Sequence, residues 1–188
     1  MTPIQIALVV IAVIAIVAVA VLMVLRRRSA KLRARFGTEY DRVVAETGNR
    51  FKAEAKLESV EKRVKSYPLT TLSAADRDRF QQSWRKIQAT FVDDPARALS
   101  EADQLLGTVM LARGYPPSDF ENRAAEISVD HATVVENYRA GHEIALHQAQ
   151  RQATTEDLRK GMLHYRALFD ELMGEEQVSL RARAAGHS

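Results

Sequence analysis

The chain of 188 residues contains no cysteine. A disulfide framework, a thiolate metal site and a cysteine nucleophile are therefore all excluded. It also lacks a glycine-rich phosphate loop, a serine elbow and the basic-aromatic pattern of an RNA-binding sheet. Nowhere does a β-branched run alternate with polar residues as a strand would. Prolines number five and glycines eight, and several fall where helices are expected to stop. These absences leave an all-α chain without a recognisable catalytic motif. No cofactor is implied.

What the sequence does contain is one long apolar run. Residues 4–25 read IQIALVVIAVIAIVAVAVLMVL, with Gln5 the one polar side chain and no charge. As a helix this segment spans roughly 33 Å, enough for a hydrocarbon core of about 30 Å. A cleaved signal peptide is the competing reading, because Ala18-Val19-Ala20 fits a small-x-small cleavage pattern. Signal peptides, however, place a basic region before an apolar run of about 7–15 residues. Here the run is longer and the basic residues Arg26, Arg27, Arg28, Lys31, Arg33 and Arg35 all follow it. The positive-inside rule then predicts a single-pass anchor in the cell membrane, N-terminus outside and C-terminal domain cytoplasmic. With no ionisable group inside it, the span reads as a passive anchor. Its Ala12, Ile16 and Ala20 share a face that would permit close helix–helix approach, so a homo-oligomer is compatible with it.

Charge is unevenly divided. Residues 26–65 hold thirteen Lys/Arg against six Asp/Glu, whereas residues 66–188 hold fourteen against eighteen. The high isoelectric point thus belongs to the membrane-proximal stretch. Contact with anionic lipid headgroups explains that placement, with Arg26, Arg27, Arg28, Lys31, Arg33 and Arg35 as the contacting residues. Nucleic acid, which favours basic residues spread over the folded domain, is not implied.

Helix signals then recur. Gly37 and Gly48 punctuate a basic helical stalk over residues 26–67, with Thr38 and Asp41 able to cap a turn after Gly37. The stripe Phe36, Tyr40, Val43 and Thr47 re-phases to Ala53, Leu57, Val60, Val64 and Tyr67. Such a stripe suits either a narrow coiled-coil seam or docking on the chain's own domain. Pro68 stops it. Ser73 with Asp76, Asp94-Pro95, Ser118 with Glu121, Asp130, and Thr154 with Asp157 are five helix starts. They predict a bundle of about five helices over residues 68–174, closed by Gly174 and followed by a flexible polar tail over 175–188.

Few residues offer chemistry. His142-Glu143 and His147 imitate a zinc-protease signature, but the histidines are five apart and point about 140° away from each other around a helix. His131, His142 and His164 could meet inside the bundle, although imidazoles near acids serve more often as hydrogen-bond partners than as metal ligands. Asp93-Asp94 and Glu175-Glu176 read as a cap and a solvated pair. The densest polar set is Asp130, His131, Glu136, Asn137, Tyr138 and Arg139, which fits interhelical hydrogen bonding or a partner-binding face. Glu136 and Arg139 are spaced to pair on a helix surface.

The segments RFGTEYDRVV (35–44), FVDDP (91–95), ARGYP (112–116), DHATVVENYR (130–139) and TTEDLRKGMLHYRALFDELM (154–173) together resemble a family of bacterial all-helical proteins, often with one N-terminal membrane segment. Ala132 departs from the proline expected there after Asp-His, which weakens the cap signal. The resemblance implies no activity and no catalytic residues. The expectation is thus a membrane-anchored cytoplasmic interaction or scaffolding module with a protein partner. A membrane-bound enzyme with a dispersed polar site, and a sensor of anionic lipid, are the alternatives.

Overall fold

The computed structural model describes the backbone from Pro3 to Ala185, and the side chains of Gln5 and residues 11–174. Eight helices and no strand occur among the described residues: α1 (Pro3–Phe36), α2 (Thr38–Thr47), α3 (Arg50–Ser66), α4 (Ala74–Asp93), α5 (Pro95–Ala112), α6 (Phe120–Ser128), α7 (Val135–Ala149) and α8 (Thr155–Ala185). Helices α4 to α8 form the expected five-helix bundle around the first of two apolar cores. Its buried residues include Phe80, Trp84, Leu99, Leu106, Ile127, Tyr138, Tyr165 and Leu172. Trp84 of α4 stacks on Phe169 of α8 with ring centres 4.8 Å apart.

Several helix starts follow the local chemistry of the sequence. The Ser73 hydroxyl accepts from the Asp76 N–H at 3.0 Å, and the Asp94 carboxylate accepts from Arg97 N–H at 3.0 Å with Pro95 in the first turn. Thr154 and Asp157 satisfy each other's backbone N–H groups reciprocally. Elsewhere the expectation is corrected. Asp119, not Ser118, caps α6 by accepting from Asn122 N–H at 2.9 Å; Ser118 instead donates to Glu126. Asp130 caps nothing, and α7 begins five residues later at Val135 without a side-chain cap. Thr38 lies inside α2, which follows Gly37 at φ 55°, a conformation that disfavours residues with a Cβ. Gly174 does not end the last helix, which continues to Ala185. The predicted polar tail, 175–188, lies outside the residues whose side chains are described.

The predicted stalk contains a second core. Leu32 and Phe36 of α1, Tyr40 and Val43 of α2, Ala53, Leu57, Val60 and Val64 of α3, and Val129 after α6 are all buried together. The chain itself therefore covers the apolar stripe of residues 36–64: α2 and α3 fold back on α1, and Val129 seals the far side. The reason is physical. Each of the three helices carries too narrow an apolar face to stay in water alone, and the left-handed Gly48 at the end of α2 lets α3 return beside it.

Upstream of this core α1 changes character. Every residue from 11 to 24 is exposed although nearly all are Ala, Val, Ile, Leu or Met. Among the described residues, no helix is long and apolar enough to cross a membrane. The described part of the apolar run, 11–25, is fifteen residues or about 22 Å. Ile4 and residues 6–10 of the predicted span lie outside the described side chains.

If residues 26–67 are part of the fold, a core deletion within them must be felt. Leu57→Ala is expected to lower the unfolding free energy by about 2–5 kcal/mol in urea titrations, whereas a residue on a solvated stalk would change it by less than about 0.5 kcal/mol.

Candidate functional site

Polar groups concentrate in three places. Nearest to the apolar run is Glu54 on α3, 2 % exposed. Its carboxylate accepts from the Ser29 hydroxyl of α1 at 2.5 Å, the Tyr40 hydroxyl of α2 at 2.9 Å and the Arg50 guanidinium at 3.0 Å. Burial raises the carboxyl's pKa, but these three donors outweigh it and hold the group below the ordinary carboxylate value. Arg28 of α1 clamps Glu58 of α3 with two bonds of 2.5 and 2.6 Å. Of the six basic residues expected at lipid headgroups, Arg26, Arg27, Lys31 and Arg33 are exposed, Arg33 pairing with Asp41. Arg35 is corrected: it turns away from the apolar end of α1 and bonds Glu61, Asp130 and the Val129 carbonyl at 3.0, 3.3 and 3.3 Å.

The second place is the junction of the two cores, and it takes up half of the cluster expected over residues 130–139: Asp130, His131 and Arg139. Asp130 meets Arg35 there. The buried His131 contacts Glu171 of α8 through Nδ1 at 3.1 Å. Arg139 does not pair with Glu136, which is exposed; it reaches across to the buried Glu39 of α2 with two bonds of 2.9 and 2.7 Å, and to Glu121 at 2.9 Å. Glu126, also buried, accepts from the Tyr67 hydroxyl at 2.7 Å. Asn137 pairs with His164 at 2.9 Å within the bundle. These contacts tie helices together, with Glu39, Glu126 and His131 buried and Asp130, Glu121 and Glu171 at the solvent-facing end of their pairs.

The third place lies inside the bundle, and sequence reasoning saw only part of it. The Tyr138 and Tyr165 hydroxyls, Asp103 Oδ1, His142 Nδ1 and Arg123 Nε are all buried; the Tyr165 hydroxyl and Asp103 interact with each other, and the Tyr138 hydroxyl, His142 Nδ1 and Arg123 Nε reach no hydrogen-bond partner among the described residues. They come from α5, α6, α7 and α8. The two tyrosine rings lie 6.2 Å apart, Arg123 sits 6.0 Å over the Tyr138 ring, and the His142 ring stacks on Phe120 at 3.5 Å. Gly141 leaves the room Tyr165 needs, since a Cβ there would fall 2.6 Å from its ring. Burial pushes both phenols up and the His142 imidazole down, so all three are neutral near pH 7. Asp103 and His142 also line a cavity of about 390 Å³ that opens between α5 and α7.

The three histidines do not assemble: His131 meets Glu171, His164 meets Asn137 and His142 stacks on Phe120. Among the described residues no group of three or more His, Asp or Glu is arranged to hold a metal ion. Comparison of the chain with protein-family models, with curated proteins and with solved structures finds no match.

Two outcomes follow from the charged ties. Arg139→Met strands the Glu39 carboxylate in the interior and is expected to cost about 3–5 kcal/mol; Glu39→Leu added to it should restore most of that loss in a double-mutant cycle. Separately, Glu54 titrates below 4.5 in the fold. Its contribution is complete above the unfolded value and disappears as pH falls through the folded one. Stability should therefore decline on acidification below about 4.5, and less steeply in Glu54→Gln, as followed by thermal melts across pH.

Proposed function

We propose that the chain is a single-pass, membrane-anchored helical module whose domain lies against the cytoplasmic face and presents its bundle to a protein partner. The supporting observation is the continuity of α1. One helix carries the apolar run, exposed over residues 11–24, and then Leu32 and Phe36, which are buried in the domain's second core. An exposed, wholly apolar helix that is fixed in a folded domain at its other end is stable in lipid and costly in water. Counting residues 4–10, the run reaches the length of a hydrocarbon core. Only about 10 Å of helix separates Leu25 from Leu32, so the domain stands directly on the headgroup layer. Arginines on that side favour the cytoplasmic orientation. For a partner, the bundle offers a groove between α4 and α8, walled by Trp84, Phe91, Met162 and Leu163 and rimmed by Arg159 and Arg166.

The five buried polar atoms of Asp103, Arg123, Tyr138, His142 and Tyr165 favour a second reading, in which the bundle takes up a small polar molecule and acts on it. Native mass spectrometry of the purified chain separates the two. A bound small molecule that disappears in Asp103→Ala favours the second reading, and its absence from both proteins favours the first.

The membrane reading is checked by alkaline carbonate extraction and by fusions placed after Ser188. The chain is expected in the membrane pellet, with a fluorescent fusion bright and an alkaline phosphatase fusion inactive. An active phosphatase would put the domain on the opposite side.

A further inference from the structure

Three arginines from two helices line one cavity of about 350 Å³ at the end of the apolar run. Arg26 and Arg33 stand two turns apart on one face of α1, and Arg50 joins them from the start of α3. The cavity wall is completed by Ser29, Ala30, Tyr40, Asp41 and Val44. Its floor is rigid, because Ser29, Tyr40 and Arg50 all bond the one buried carboxylate of Glu54. The Arg33 guanidinium lies 5.3 Å over the Tyr40 ring. Asp41 is the ion-pair partner of Arg33, but both side chains are more than half exposed. An exposed pair of this kind contributes little and exchanges readily for a doubly bonded oxyanion. Arg26 has no ion-pair partner among the described residues and directly follows Leu25, the last apolar residue. Headgroup layers are about 5–7 Å deep on each side of the core, which is the depth that Arg26 and Ser29 would occupy.

We propose that this cavity binds the phosphate of one anionic phospholipid, held by Arg26, Arg33 and Arg50. The inference rests on the membrane-anchored reading and goes beyond diffuse attraction between basic residues and an anionic surface. Arg27 and Lys31 lie on the same stretch of α1, are exposed and are equally charged, yet do not line the cavity. A diffuse field would weight all five residues alike, whereas a built site weights three.

The full-length chain reconstituted in nanodiscs tests it, with either phosphatidylcholine alone or phosphatidylcholine containing one-fifth phosphatidylglycerol. Lipid retained after detergent extraction is then counted by native mass spectrometry. One phosphatidylglycerol per chain is expected to remain, in preference to phosphatidylcholine. Arg26→Gln and Arg50→Gln should each weaken retention roughly thirtyfold, as removal of a charge-assisted hydrogen bond does. Arg27→Gln, removing the same charge outside the cavity, should weaken it at most about fivefold. Arg26→Gln breaks no internal ion pair, so its effect is independent of the folding of the Glu54 node. Inorganic phosphate added at millimolar concentration should leave the lipid in place; displacement would assign the cavity to free phosphate and overturn the lipid assignment. Equal losses for all three variants, or no preference for phosphatidylglycerol, would overturn the site. A chain released by carbonate would instead overturn the membrane reading, so the two failures are distinguishable.

Discussion

The carboxylate of Glu54 is the point on which the packing of α1, α2 and α3 depends. It is one charge removed from water, and it remains ionised because donors from three separate positions converge on it: Ser29, Tyr40 and Arg50. A buried charge with good partners adds little net stability compared with an apolar residue, yet it strongly penalises every arrangement in which those partners are absent. It therefore acts as a register pin. Helices α1, α2 and α3 could slide along their narrow apolar stripes at modest cost, but a slip of one turn would leave Glu54 without its donors. The same node shapes the floor of the arginine-lined cavity, so packing and surface chemistry are decided by a single side chain.

The two cores are joined by a different means. Between α1–α3 and the bundle the described ties are largely ionic or hydrogen-bonded: Arg35 to Asp130, Arg139 to Glu39, Arg42 to Glu121 and Tyr67 to Glu126. Val129 is the apolar residue from beyond α3 that enters the second core as a fully buried member. Such a junction is specific in its geometry, most of all where the Arg139 guanidinium meets the Glu39 carboxylate with two bonds.

How much of this could be read in the sequence follows from the range of each interaction. The caps at Ser73, Asp94 and Thr154 were legible because side chain and backbone partner lie three residues apart. The five-helix bundle was legible because its apolar stripes are wide and evenly spaced. The choice of Asp119 over Ser118 was not, since both precede α6 and the tertiary position of Glu126 decided which would cap. Asp130 and Arg139 looked like local partners and found distant ones, 95 and 100 residues away, which no spacing rule reaches. One signal was present and overlooked. Glu54, Leu57, Glu61 and Val64 follow one another at intervals of three, four and three, so two carboxylates share the apolar face of α3. A charge in phase with a hydrophobic stripe announces a buried partner. The interior set around Asp103 and Tyr165 had no such signal, because Asp103 and Tyr165 lie 62 residues apart on different helices and neither breaks a pattern.

The unbroken course of α1 has a mechanical corollary. From Ile11 to Phe36 the helix is about 39 Å long, and it is seated in the domain by Ser29, Leu32 and Phe36 with no glycine or proline before Gly37. It is a lever with its fulcrum in the second core. A swing of about 10° at that seat carries Ile11 sideways by about 5–6 Å, and a comparable tilt imposed at the far end returns to the domain undiminished. In the proposed anchored state, bilayer thickness and crowding around that end would thus be felt as the attitude of the bundle, transmitted by a rod with no joint to absorb them.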